Sequence, residues 1–88
     1  MRLEIYVASV CDNCEEALRI ADLARDIDGI DVAVIDLDAA DQQTPQHVVA
    51  VPTYVLDGRI VSLGNPYRDE FLAQLQSQLR VQVEEVAT

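Results

Sequence analysis

The chain contains no lysine, and its six arginines are outnumbered by sixteen aspartates and glutamates. The formal net charge is −10 over 88 residues. Nucleic acids and anionic membrane surfaces are polyanions, so this charge disfavours binding to either of them. The simplest explanation of the negative charge is that it keeps the protein soluble. The alternative explanation is a partner with a basic surface.

Long hydrophobic runs are also missing. The apolar stretch near the start is interrupted by Glu4 and ends at Val10 without a small-residue cleavage site, so no signal peptide is visible. No run approaches the ~20 residues of a membrane span. Half of the residues are nevertheless hydrophobic, which is typical of a folded globular chain. We therefore expect a globular, cytoplasmic protein.

Cysteine is scarce, since Cys11 and Cys14 are the only two in the chain. A disulfide scaffold needs more of them, and a bridge across so short a loop constrains the unfolded chain very little. The pair therefore needs an explanation in chemistry rather than in stability.

The pattern of apolar residues predicts one α/β domain over residues 1–88, with a core over about 2–80 and a tail over 81–88 that frays or extends the last helix. A strand, a helix and a second strand open the chain, which indicates a right-handed βαβ unit. The predicted elements are a strand over 2–8, a helix from Cys14 ending at Asp28-Gly29, a strand over 31–37, short helical turns within 38–50, two strands within 53–63 joined at Asp57-Gly58, and a helix over about 66–80 with Asn65 as N-cap.

The two cysteines fall at the junction between the first strand and the first helix. A thiol at a helix N-terminus is favoured as the thiolate, because the unpaired N–H groups and the helix dipole stabilise negative charge. A cysteine one turn further on lies about 5–6 Å away between Cα atoms, within reach of a disulfide. We therefore expect Cys11 to attack a substrate disulfide and Cys14 to resolve the mixed disulfide.

A second signal is Val51-Pro52-Thr53, which opens the third strand 41 residues after Cys11. Proline is tolerated at the start of a strand, and an X-Pro bond at such a turn is a candidate cis peptide. The main chain of Val51 would then be free to pair with an extended peptide. An ordinary trans proline that begins a strand is the alternative.

Together these pieces resemble the thioredoxin superfamily in its short, glutaredoxin-sized form. The matching parts are the strand before VCDNC, the helix after it, and the segment QHVVAVPTYVLDGRIVSLGNP. The resemblance implies a four-stranded mixed sheet flanked by helices, with Cys11 as nucleophile, Cys14 as resolving thiol and Pro52 as a cis-proline. It also implies a protein-disulfide reductase that needs no bound cofactor beyond its own redox-active disulfide. Its partners would be protein disulfides and an unidentified reductase, and we expect a monomer.

Acidic residues surround the pair, and Asp12 and Asn13 replace the Gly-Pro that thioredoxins usually carry between the cysteines. Negative charge near Cys11 opposes formation of its thiolate, and no arginine lies between Arg2 and Arg19 to compensate. We therefore interpret Asp12 and Asn13 as modulating residues. A less stabilised thiolate favours the disulfide, which predicts a reductant rather than a strong oxidant.

Three alternatives remain open at this point. A glutathione-dependent glutaredoxin is disfavoured by the missing basic residue near the cysteines, by Gly64-Asn65 in place of a glycine pair, and by the negative field. A metal site would need two chains, since one supplies two thiols and His47. The third alternative is a binding or regulatory module with the same fold. Tyr67 and Arg68 are candidates for the border of a substrate groove.

Overall fold

A computed structural model of the protein describes residues 1–9, 11–38 and 50–87. His47 lies outside these residues, and so do residues 39–49, within which short helical turns were predicted. The elements are β1 (Arg2–Val7), α1 (Cys14–Arg25), β2 (Asp31–Asp36), β3 (Thr53–Leu56), β4 (Arg59–Leu63) and α2 (Arg68–Ala87).

The four strands form one mixed sheet in the order β2-β1-β3-β4. β1 is parallel to β2 and antiparallel to β3, and β3 is antiparallel to β4. The predicted four-stranded mixed sheet with its opening βαβ unit is therefore confirmed. β1 occupies a central place, so the loop that follows its carboxyl end lies in the middle of the sheet edge, between β2 and β3.

The core lies on one face of the sheet, where alternate residues of β1 and β3 meet the apolar faces of both helices. Tyr54 of β3 packs edge to face on Phe71 of α2, with ring centroids 5.3 Å apart. Each large side chain removed from water contributes ~1.5–3 kcal/mol to folding. The principal members of this cluster are Leu3, Ile5, Val7, Ala17, Ile20, Ala21, Ala24, Tyr54, Leu56, Phe71 and Leu75.

The predicted hairpin is present at Asp57-Gly58. Both residues have positive φ angles, 50° and 85°, as a two-residue turn between β3 and β4 requires. The carboxylate of Asp57 also accepts a hydrogen bond from the main-chain N–H of Arg2 at 2.8 Å. That bond fastens the turn to the first residue of β1.

The helix boundaries differ from the sequence-based prediction. α1 ends at Arg25, with Asp26 as its C-cap, whereas the sequence placed the end at Asp28-Gly29. α2 begins at Arg68, and its first turn is closed by Phe71 donating to the carbonyl of Tyr67 at 2.9 Å.

The prediction of Asn65 as the N-cap of that helix was wrong. Its carboxamide is bonded to Tyr54 and to the main chain of Asn13 instead, and these partners leave it unavailable for capping. At the other end, residues 81–87 extend α2 rather than fray.

Candidate active site

Cys11 and Cys14 form a disulfide with Cα atoms 5.4 Å apart, within the distance predicted for a pair one turn apart. Cys14 is the first residue of α1, and Cys11 lies in the turn before it, where its carbonyl accepts the N–H of Cys14 at 3.3 Å. Cys14 is buried, at 6% exposed, whereas Cys11 is only partly buried. The site therefore presents one accessible sulfur and one enclosed sulfur.

The loop before β3 forms the second part of the site. The peptide bond between Val51 and Pro52 is cis. Pro52 and Thr53 are buried, while Val51 is partly buried and packs against the same core as Cys11. The hydroxyl of Thr53 donates to the carbonyl of Ala50, which closes the turn. Val51 itself lies outside the ladder of β3, which begins at Thr53.

Gly64 and Asn65 connect the two parts. The N–H of Gly64 donates to the carbonyl of Pro52 at 2.8 Å. The Asn65 Nδ2 donates to the carbonyl of Asn13 at 2.6 Å, and Asn13 lies between the two cysteines. Gly64 has a φ of +87°, a conformation that suits glycine. Gly64 therefore binds the proline loop (residues 50–52), and its neighbour Asn65 binds the cysteine turn (residues 11–14). The two parts of the site are joined through these adjacent residues.

A buried tyrosine sets the orientation of that carboxamide. The hydroxyl of Tyr54 donates to the Asn65 Oδ1 at 2.8 Å. Burial raises the pKa of Tyr54 well above its ordinary value, with the charge of Glu16 adding to the effect. The hydroxyl therefore keeps its proton and remains a donor. With Oδ1 occupied as an acceptor, the carboxamide presents its N–H to Asn13.

A paired arginine lies at the start of α2. Arg68 makes two hydrogen bonds to the carboxylate of Glu16, from Nε at 3.0 Å and from Nη2 at 2.6 Å. The hydrogen bonds from Arg68 lower the pKa of Glu16 below its usual value. Glu16, Tyr67, Arg68, Asp69 and Glu70 line an open depression of about 400 Å³, and Tyr67 is 81% exposed.

Arg68 changes the electrostatic argument made from the sequence. No positive residue is close to the cysteines along the chain, but the fold brings Arg68 to the first turn of α1, where it balances Glu16. Asp12, in the turn between the cysteines, and Glu15, in the first turn of α1, remain exposed. Asn13, the N-cap of α1, makes no side-chain capping bond, so its contribution to the site is its carbonyl.

Metal ligation finds no support in the part of the chain that the structure describes. There, no group of three or more histidine, cysteine, aspartate or glutamate side chains is placed to hold an ion. Nor does any helix among residues 1–9, 11–38 and 50–87 have the length and apolar character to cross a membrane.

Comparison with known proteins identifies the class to which this fold and site belong. The thioredoxin domain family matches residues 1–77, and the chain belongs to that family. A thioredoxin from Methanocaldococcus jannaschii is similar to it, with 23% identity over 82 residues that cover 90% of this chain and 96% of the relative. Family membership and the disulfide together support thiol–disulfide oxidoreductase chemistry.

Proposed function

We propose that the protein is a dithiol reductant of disulfides in other proteins, working through Cys11 and Cys14. The observation that carries this proposal is the disulfide at the start of α1 with one accessible and one enclosed sulfur. The accessible thiol of Cys11 can react with a disulfide on a bulky protein substrate. The enclosed thiol of Cys14 can react only with a mixed disulfide that has already formed on Cys11.

The reaction consumes one substrate disulfide in two exchanges. The Cys11 thiolate attacks one substrate sulfur, so that a mixed disulfide forms and the first substrate thiol leaves. The Cys14 thiolate then attacks Cys11 Sγ, the Cys11–Cys14 bond forms, and the second substrate thiolate leaves and takes up a proton. The substrate gains two electrons and the protein loses two. A separate reductase must return the protein to its dithiol form.

The proline loop would bind the substrate backbone. Because Val51 lies outside the ladder of β3 and packs against the same core cluster as Cys11, its main chain can pair with an extended peptide. Pro52 and Thr53 support that loop from the core, since both are buried and the carbonyl of Pro52 accepts a hydrogen bond from the N–H of Gly64. Extended peptide around a disulfide is therefore the substrate form that we assign to this surface.

The charge near the site sets the direction of exchange in this proposal. Asp12 and Glu15 oppose the Cys11 thiolate, so the disulfide form is favoured and the couple donates electrons. We further propose that the protein acts in the cytoplasm as a monomer without a bound cofactor. Asp12 and Asn13 would modulate the potential, the first by charge and the second through its carbonyl.

An insulin-reduction assay with dithiothreitol tests the proposal. We expect wild-type protein to accelerate precipitation of the insulin B chain and Cys11→Ser to abolish the acceleration. Incubated with insulin after dithiothreitol is removed, Cys14→Ser should instead retain a covalent mixed disulfide that non-reducing electrophoresis detects. Undiminished reduction by Cys11→Ser would refute the function, and activity that requires glutathione would favour the glutaredoxin alternative.

A further inference from the structure

The hydrogen bonds that join Tyr54, Asn65 and Asn13 run in one direction from the core to the cysteine turn. The Tyr54 ring is fully buried and packed on Phe71, so its hydroxyl is a fixed point. Asn65 accepts from that hydroxyl at 2.8 Å and donates to the Asn13 carbonyl at 2.6 Å. The turn between the cysteines is thus anchored to the core through one carboxamide.

The anchored carbonyl lies next to the enclosed cysteine. Asn13 directly precedes Cys14, and its carbonyl also accepts the N–H of Ala17 at a longer 3.4 Å. The bond from Asn65 is the shorter of the two. This carbonyl belongs to the peptide unit that joins Asn13 to Cys14. The hydrogen bond from Asn65 therefore restrains the position of the main chain at Cys14, the first residue of α1.

We propose that Asn65, oriented by Tyr54, is a positioning residue that keeps Cys14 within reach of the mixed disulfide on Cys11. Once the disulfide is reduced, no covalent bond holds the two sulfurs near each other. Anchoring Asn13 restricts the turn in that state and raises the effective concentration of Cys14 at Cys11. A more restricted dithiol re-forms its disulfide more readily, which makes the protein a stronger reductant.

The inference rests on the proposed function but can fail separately from it. Asn65→Ala removes the anchor, and Tyr54→Phe removes one hydroxyl with almost no change in shape. Asn65→Leu keeps a side chain of similar size, adds no charge, and loses the N–H that Asn13 requires. Leu79→Ala is the control, because Leu79 packs on the core beside Gly29, beyond the other end of α1.

The first measurement is the equilibrium of each variant with glutathione or dithiothreitol buffers. We expect the constant for disulfide formation to fall about threefold to tenfold in Asn65→Ala and Asn65→Leu, a tenfold fall being about 30 mV. Tyr54→Phe should fall in the same direction by a smaller factor. Leu79→Ala should lose stability in urea without any change in this equilibrium.

The second measurement is the lifetime of the mixed disulfide with a labelled model thiol, followed by rapid acid quench. Release by Cys14 should slow by a factor similar to the change in the equilibrium constant. Combining Tyr54→Phe with Asn65→Ala should add nothing to Asn65→Ala alone, since both variants break one chain of bonds. Wild-type constants and lifetimes in both Asn65 variants would overturn the inference, even if Cys11→Ser had already established the function.

Discussion

Arg68 and Glu16 lie 52 positions apart in the chain, and two hydrogen bonds of 2.6 and 3.0 Å join their side chains. This bidentate pair links the first turn of α2 to the first turn of α1, next to the cysteines. Charge-assisted pairs with two parallel bonds fix geometry as well as adding attraction. The pair therefore makes the stability of this corner of the fold dependent on pH.

The first prediction concerns the pH dependence of stability in Glu16→Gln. Arg68 lowers the pKa of Glu16 in the folded protein, from a usual value of 4.5. The pair therefore stabilises the folded state above the unfolded-state pKa, and the contribution disappears as pH falls through the lower, folded-state value. We expect Glu16→Gln to unfold at a lower urea concentration than wild type at pH 7, with the difference shrinking below pH 4.5.

Glu15→Gln serves as the matched control, because Glu15 is the exposed neighbour on the same turn. It should leave the urea midpoint nearly unchanged and produce no comparable convergence with wild type at low pH. A difference between wild type and Glu16→Gln that does not shrink as pH falls below 4.5 would show that the ion pair is not its source.

The second prediction concerns Asp12 and the reactivity of Cys11. A unit charge on an adjacent residue in a water-like dielectric is worth roughly 0.5–1 kcal/mol, a factor of about two to five. Asp12→Asn should therefore raise the thiolate population of the reduced protein. We expect alkylation of Cys11 by iodoacetamide at pH 7 to become two to five times faster, and the couple to become more oxidising.

Asp31→Asn is the control for this experiment. Asp31 is exposed and lies opposite Arg2 in the β1–β2 ladder, at the far end of β1 from the cysteines. It removes the same charge from the chain without removing it from the site. An equal increase in alkylation rate in both variants would mean that net charge, rather than Asp12, controls the thiol.

Several features of the fold and the site could be predicted from the sequence. The βαβ unit, the hairpin at Asp57-Gly58 and the pairing of Cys11 with Cys14 follow from local patterns: apolar spacing, a turn that needs positive φ, and two thiols one turn apart. Each of these signals lies within a few residues. Local signals of this kind can be recognised before the fold is known.

The missed features are contacts across the fold. Asn65 precedes a proline near a helix start, so a local interpretation makes it an N-cap, whereas the fold gives it to Tyr54 and Asn13. Arg68 was noted as a possible groove residue, but its pairing with Glu16 depends on how two helices pack. The sequence-based interpretation used Gly64-Asn65 only as a departure from the glycine pair of glutaredoxins and assigned the segment no contact with the cysteine turn.

The third prediction concerns the docking of α2. Leu75 is fully buried in the core, whereas Val81 on the same helix is 51% exposed. Leu75→Ala should lower the free energy of unfolding by about 2–5 kcal/mol, because it removes apolar contacts and leaves a cavity. Val81→Ala should change it by less than about 0.5 kcal/mol. Urea denaturation followed by circular dichroism measures both, and similar losses would contradict this placement of the helix.

The last prediction separates backbone strain from function at Gly64. Gly64 and Gly58 have nearly equal φ angles, +87° and +85°, and a Cβ at either position would meet nothing within 4 Å. Alanine at each should therefore cost about 1–2 kcal/mol of stability for the same reason, the left-handed backbone. Gly58 lies in the hairpin turn, but Gly64 bonds the cis-proline loop and precedes Asn65.

We thus expect the two variants to unfold at similar urea concentrations and to differ in insulin reduction. Gly64→Ala should reduce disulfides several times more slowly than Gly58→Ala, because relief of strain at residue 64 shifts both the Pro52 carbonyl contact and the Asn65 carboxamide. Equal activity at equal stability would show that the site tolerates movement of this segment, and that the link between the proline loop and the cysteine turn is structural alone.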